Sequence, residues 1–162
     1  MQTSARRAEA VDALLVASRA LVAVAARSLA DEDDVTLPQY RALIVLGARP
    51  GLGVTDLAEA LDVHSSTATR LCDRLVRKQL VRRAQGTADR RSTRLHLAPA
   101  GQALVDRVTD RRRRDLVAIV ARMPDAACAL AVEALGAFAA AADEPSGVDL
   151  FGWDDGPARS PG

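Results

Sequence analysis

The chain has 162 residues, a mass of 17.1 kDa and a net charge of +1, enough for one compact domain that dimerises if an apolar surface is left over. It is 49% hydrophobic but only 2% aromatic, and apolar mass supplied by Ala, Val and Leu favours helices over a β-sandwich. Two cysteines without framework spacing, only His64 and His96, no uncharged apolar run long enough for a bilayer and no secretory-type apolar core at the N-terminus exclude disulfide-scaffold, metal-site and membrane classes, and lead us to expect a cytoplasmic protein with no cofactor.

From Arg6 to Ala30, apolar residues at Val11, Leu14, Leu15, Leu21, Val22, Ala25 and Leu29 follow a helical period and form one stripe. At ~1.5 Å per residue this helix is about 37 Å long, too long to bury its stripe on a small domain alone. The acidic run Asp31-Glu32-Asp33-Asp34 ends it. Thr36-Leu37-Pro38-Gln39 reads as a capping box, with Thr36 as N-cap and Gln39 reaching back. The second helix continues through Leu43, Ile44 and Leu46 to a turn at Pro50-Gly51-Leu52-Gly53. Thr55 is expected to cap a short third helix from Asp56 to Leu61. After the tight turn Asp62-Val63-His64, Ser65 is expected to cap a fourth helix reaching Gln79.

In that fourth helix Ala68, Leu71, Cys72 and Leu75 share one face, while Thr67, Arg70, Arg74 and Arg77 share another at spacings of three and four. A short helix, a three-residue turn and a helix with a buried stripe opposite an arginine stripe form a helix-turn-helix arrangement. Two β-like runs follow, Leu80–Arg83 and Thr93–Leu97, separated by the polar loop 86–92; together they read as a hairpin, or wing. Pro99 opens a long fifth helix to Arg122 with Leu104, Val108, Leu116, Ile119 and Val120. A sixth starts at Pro124 and carries Leu130, Ala134, Leu135, Phe138 and Ala141. From Asp143 onward Pro, Gly, Asp and Ser dominate, as in a flexible tail, although its Phe151 and Trp153 have the chemistry to dock. The fold class is thus mainly α with a small β-hairpin wing.

The small net charge conceals an asymmetry. Residues 65–114 hold fourteen Lys or Arg against four Asp, and the remainder eight basic against seventeen acidic groups. A basic stretch of this kind is either a footprint for a polyanion or a solvated helix surface. All the cations but Lys78 are arginines, the side chain suited to bidentate phosphate and guanine contacts.

These blocks, in this order, resemble the MarR family of bacterial transcriptional regulators over about residues 8–142. Leu37-Pro38-Gln39-Tyr40-Arg41-Ala42-Leu43 resembles the start of the family's second helix, and Thr55-Asp56-Leu57-Ala58-Glu59-Ala60-Leu61 its first helix-turn-helix element. The run from Ser65 to Leu75 resembles its recognition helix, Asp89-Arg90-Arg91-Ser92 its wing signature, and Leu97-Ala98-Pro99-Ala100-Gly101 its junction into the dimer helix. Two positions depart from the family pattern. Gln79 stands where glycine usually makes a left-handed C-cap, and Ala98 where threonine usually caps, a loss of about 1 kcal/mol.

The resemblance implies a homodimer and the following division: a dimerisation helix over 1–35, a winged helix-turn-helix over 36–98, C-terminal dimerisation helices over 99–142 and a tail over 143–162. Each fourth helix would enter a major groove, with half-sites one duplex turn apart, so double-stranded DNA carrying a pseudo-palindromic operator is the expected partner. Ser65, Ser66, Thr67, Thr69 and Arg70 are candidates for contacts at base edges, and Arg74 and Arg77 for phosphate. Arg90 and Arg91 at the wing are candidates for the minor groove. Asp89 either pairs with an arginine, Arg74 being the nominated partner, to support the wing, or is an ordinary turn residue. The resemblance also implies a small effector, phenolic or anionic, between the DNA-binding lobe and the dimer helices. Tyr40 and Arg41 either line that site or simply cap and pack.

Arg111 to Arg114 point in all directions around the fifth helix, so at least one must face the protein, paired with Asp115 or with an acid of the 31–34 run. Cys72 lies on the inferred buried face as a core residue, and Cys128 has no evident thiolate-stabilising neighbour. His64 precedes the expected cap, either near phosphate or exposed in the turn. Two other functions remain open: a helical protein-interaction module without DNA binding, and a cysteine-based redox-sensing regulator. The sequence holds no nucleophile–base or metal constellation for an enzyme.

Overall fold

The computed structural model describes residues 2–32, 34–85 and 93–144. Its elements are α1 (Gln2–Leu29), α2 (Leu37–Ala48), α3 (Val54–Ala60), α4 (Ser65–Arg77), β1 (Val81–Gln85), β2 (Thr93–Leu97), α5 (Pro99–Val120) and α6 (Asp125–Ala141). The expected order of helices and hairpin is all present, with α1 starting four residues earlier than its apolar stripe indicates.

One core joins α2, α3, α4, the hairpin and the first half of α5. Leu43, Leu46, Leu57, Cys72, Leu75, Leu95, Val105 and Val108 are each within 2% of full burial. Only the C-terminal end of α1 enters it, through Val24, Ser28 and Leu29; the buried Ser28 hydroxyl donates to the Ala25 carbonyl at 2.8 Å, which satisfies it locally. The rest of α1, the end of α5 and all of α6 leave large apolar residues in the open. Val11, Leu15, Val16, Val117, Leu130, Val132 and Phe138 are each more than half exposed, and no residue of α6 is buried.

The caps show how the elements are aimed. Thr36 caps α2 as expected, accepting from the Gln39 amide at 3.4 Å while the Gln39 side chain accepts from the Thr36 amide at 3.3 Å. Thr55 does not cap α3: Gly53 is the N-cap, and its amide donates to the Asp56 carboxylate at 2.9 Å. Nor does Ser65 cap α4. His64 is the N-cap, and no side chain closes that end; the His64 carbonyl accepts the Thr67 and Ala68 amides at 2.8 and 3.0 Å. The residue that leaves extended backbone becomes the cap, and here the turn places that change two residues before Thr55 and one residue before Ser65.

Three helices end in the same way. Asp62, Gln79 and Asp143 have φ of 53°, 59° and 51°, and after each the next amide reaches back to the carbonyl five residues before it: Val63 to Ala58, Leu80 to Leu75 and Glu144 to Ala139. These are Schellman closures made without glycine. The one at Asp62 makes the turn of the helix-turn-helix. The one at Gln79 makes the bend into the hairpin, at the position where the family pattern places glycine. The one at Asp143 extends ordered backbone past the expected start of the tail, whose residues 145–162 lie outside the described residues.

The strands pair antiparallel, Val81 with Leu97 through Gln85 with Thr93. The turn after α2 joins them: Leu52 bridges Leu95, whose amide donates to the Leu52 carbonyl at 2.8 Å, and Gly51, at φ +82°, donates to the Leu95 carbonyl at 3.0 Å. Ala98 is the N-cap of α5 without a side-chain cap bond. Its amide instead donates to the Leu80 carbonyl at 3.0 Å, so the helix start is held by the bend that leaves α4.

Candidate nucleic-acid interface

The face of α4 away from the core carries the candidates. Ala68, Cys72 and Leu75 are buried, whereas Ser65, Ser66, Thr67, Thr69, Arg70, Arg74 and Arg77 are all exposed. Because no side chain caps α4, its first amides face outward beside the hydroxyls of Ser65 and Ser66, an arrangement suited to an anionic oxygen. Two of the exposed side chains fold back along the helix. Thr69 Oγ1 donates to the Ser65 carbonyl at 2.8 Å and Arg70 Nε to the Ser66 carbonyl at 3.3 Å, so each must leave a weak local bond to reach another partner.

The hairpin is tied to α4 by an ion pair that the sequence reading did not anticipate: Arg83 on β1 and Asp73 on α4 meet at 2.6 Å. The hairpin base is tied to α3 as well, through Arg94, 3.6 Å from the Asp56 carboxylate and donating to the Gly51 carbonyl at 3.4 Å. The carboxylate that caps α3 thereby also anchors β2. Asp89, Arg90 and Arg91 lie outside the described residues, so the expected pairing of Asp89 with Arg74 has no geometry here.

The arginine run on α5 divides by function. Arg111 meets Glu32 at 3.1 Å and Asp31 at 3.6 Å, Arg107 meets Glu32 at 3.2 Å, and Asp115 meets Arg27 of α1 at 3.2 Å. Both acids nominated from sequence, Asp115 and the 31–34 run, are therefore used, although Asp115 pairs with α1 rather than with the run beside it. Arg112 places its guanidinium 5.4 Å from the Tyr40 ring centre, a cation–π contact. Tyr40 is 3% exposed and its hydroxyl lies 3.2 Å from Thr109 Oγ1, so it joins α2 to α5 as a packed residue.

Arg41, one position on, is half exposed and pairs with Glu144 at 3.2 Å. It also lines an apolar cavity between α2 and α4, which Tyr40 does not. Burial raises the Cys72 thiol above its ordinary value, with the nearby Arg83 acting weakly in the opposite sense; it stays a protonated core group at neutral pH. No group of three or more metal-ligating side chains occurs among the described residues.

A short helix and an amphipathic helix joined by a tight turn, followed by a two-stranded hairpin and long helices with open apolar faces, define a winged helix-turn-helix protein. A family model described as the MarR family matches residues 35–93. An uncharacterized HTH-type transcriptional regulator of Bacillus subtilis, YsmB, is 30% identical over 97 residues, which make up 60% of this chain and 66% of that relative; the match thus spans just under two thirds of the relative's length. Among solved structures, RV1404 from Mycobacterium tuberculosis is 39% identical with a TM-score of 0.79, over 84% of this chain and 93% of that one. A MarR family protein from Bacillus stearothermophilus shares the fold, with a TM-score of 0.77 at 24% identity over 87% of this chain and 98% of that one. The chain belongs to the MarR family.

Proposed function

We infer that this protein is a homodimeric transcriptional repressor that reads a pseudo-palindromic operator in double-stranded DNA and is released by a small effector. The observation that carries the reading is the division of α4, with three residues buried and seven polar or cationic residues exposed along its other side. In this reading Ser65, Ser66, Thr67, Thr69 and Arg70 meet base edges, Arg74 and Arg77 meet phosphates, and Arg90 and Arg91 reach the adjacent minor groove. Asp89 supports the wing.

The domain division follows the same logic. Residues 36–98 carry DNA contacts, and residues 1–35 and 99–142 pair with a second copy. The apolar residues left open on α1, α5 and α6 support that pairing, since a soluble monomer rarely exposes a contiguous apolar face of this kind. No helix among the described residues is long and apolar enough to cross a membrane, and the working place of a repressor is the cytoplasm.

Selection of bound duplexes from a randomised pool, with the promoter regions flanking its own gene as a second pool, tests the reading. A pseudo-palindrome is expected, lost with Arg70→Ala and weakened for all sequences alike with Arg90→Ala. A folded dimer that enriches nothing at low salt refutes it.

A further inference from the structure

The chain leaves the described fold beside an apolar groove of its own DNA-binding lobe. Glu144, the last described residue, is held by Arg41, whose Nη2 donates to Glu144 Oε2 at 3.2 Å. Arg41 stands at the edge of a cavity of about 290 Å³ between α2 and α4, walled by Leu37, Leu61, Val63 and Leu71. Two of these walls reach the surface, Leu37 at 51% and Val63 at 39% exposure. Beyond the ridge of Thr67 and Leu71, which lines both spaces, a second depression carries Arg70 and Arg74. Neither arginine meets a carboxylate among the described residues.

The segment that follows matches this surface in chemistry and in order. Residues 145–162 hold three aspartates against one arginine. Phe151 and Trp153 are two of the four aromatic side chains of the whole protein, so aromatic mass is concentrated after α6 rather than in the core. Asp154 and Asp155 come next. In extended backbone Phe151, Trp153 and Asp155 point to one side, and Gly152 lets the chain between the rings approach a wall closely. Phe151 is seven positions beyond Glu144. At ~3.3 Å per residue that is a reach of up to about 23 Å, toward a cavity whose rim Glu144 already touches through Arg41.

We propose that the segment from Asp149 to Asp155 docks on the DNA-binding lobe of its own chain. Trp153 enters the cavity between α2 and α4, Phe151 covers Leu37 at its mouth, and Asp155 lies opposite Arg70 and Arg74. The volume is at the small end of the range for binding sites, which suits one ring system. The apolar walls favour burial of that ring, and the neighbouring arginines supply the countercharge for the acids that follow it. A short tether gives an effective concentration of the order of millimolar, so a contact of about 0.1 mM intrinsic affinity keeps the cavity about nine-tenths filled. Docked there, the segment covers Thr67, Arg70 and Arg74, and it and a duplex exclude each other. Operator affinity is then reduced about tenfold, in proportion to the undocked fraction. This consequence rests on the DNA-binding reading above; the docking itself does not.

Docking is therefore measured first without DNA. Trp153 is the single tryptophan of the chain, so its fluorescence reports on this segment alone. In the whole protein its emission should be blue-shifted from that of N-acetyltryptophanamide, and its quenching by acrylamide severalfold weaker. Phe151→Ser, and Val63→Asp at a partly exposed turn position, should each raise quenching to that of the reference with circular dichroism unchanged. Asp155→Asn should raise it in part. In a sample mixed from isotope-labelled and unlabelled chains, NMR contacts from the Trp153 ring to the Leu37 and Leu71 methyls should arise within one chain. A Trp153 as accessible as the reference, protection that survives Val63→Asp, or contacts found only between chains would each overturn the proposal. Addition of a selected operator should then expose Trp153, and Phe151→Ser should bind that duplex about tenfold more tightly than the parent. A duplex bound with Trp153 still protected, and no gain in Phe151→Ser, overturns the exclusion. Protection of Trp153 in a protein that binds no duplex refutes the DNA-binding reading and supports the docking.

Discussion

Gly101 tests the packing that aims α5. A Cβ built at this position would lie 2.1 Å from the Leu80 carbonyl oxygen and 3.0 Å from its carbon. Both atoms belong to the backbone, so no side-chain rotation relieves the clash. Reaching ordinary contact at 3.4 Å requires an opening of 1.3 Å between the start of α5 and the bend after α4. That opening pulls on the bond from the Ala98 amide to the same Leu80 oxygen, 3.0 Å long, the bond that stands in for the missing side-chain cap. Its loss costs about 1 kcal/mol, and displacing packed backbone costs about 1–3 kcal/mol. Alanine recovers about 1 kcal/mol of helix propensity over glycine. For Gly101→Ala the balance is a loss of about 2 kcal/mol, or roughly 4–8 °C in Tm for a chain of this size. Urea and thermal unfolding followed by circular dichroism measure it, with the m-value as a check that the folded state remains compact. If Gly101→Ala is as stable as the parent or more stable, the close approach of α5 to Leu80 is wrong and propensity alone governs the site.

Other expectations follow from single features. Gln79→Gly should raise stability by about 0.5–1 kcal/mol, because a side chain at φ 59° is strained where glycine is not; a lower urea midpoint would refute it. Asp73→Asn breaks the 2.6 Å pair with Arg83. Half-exposed pairs hold less than about 1 kcal/mol, so unfolding should barely change, whereas operator affinity should fall if the pair orients the wing. Arg77→Ala should lower the slope of log affinity against log salt by about one, with the preferred sequence unchanged; altered sequence preference would move Arg77 from phosphate to base contact. Iodoacetamide should label Cys128 in the folded protein and Cys72 only after unfolding. Because the folded Cys72 thiol titrates above its unfolded value near 9.0, its contribution is complete below that pH and lost as pH rises through the folded value, so stability should decline in alkaline solution and decline less in Cys72→Ala.

The sequence by itself determined the features whose causes lie within a few residues of each other. The Thr36–Gln39 capping box spans one turn, and the buried and exposed faces of α4 follow from the period of Ala68, Cys72 and Leu75 against Arg70, Arg74 and Arg77. Both strands, the Pro99 start and the unfilled cap at Ala98 were equally legible. Where several polar residues competed for one cap, composition was not enough: Gly53 and His64 won over Thr55 and Ser65 because the backbone turns extended at those positions, and that path is set by the Asp62 closure and the Leu52–Leu95 bridge. Tertiary structure alone decided the partners. Asp73 finds Arg83, Asp56 finds Arg94, Tyr40 lies under Arg112, and Arg41 meets Glu144 across 103 positions of chain. Long flexible arginines can reach many acids, and no local rule selects one. The choice falls to whichever carboxylate the packed helices bring within reach, which is also why Arg41 came to stand at the mouth of an apolar cavity while its neighbour Tyr40 turned into the core.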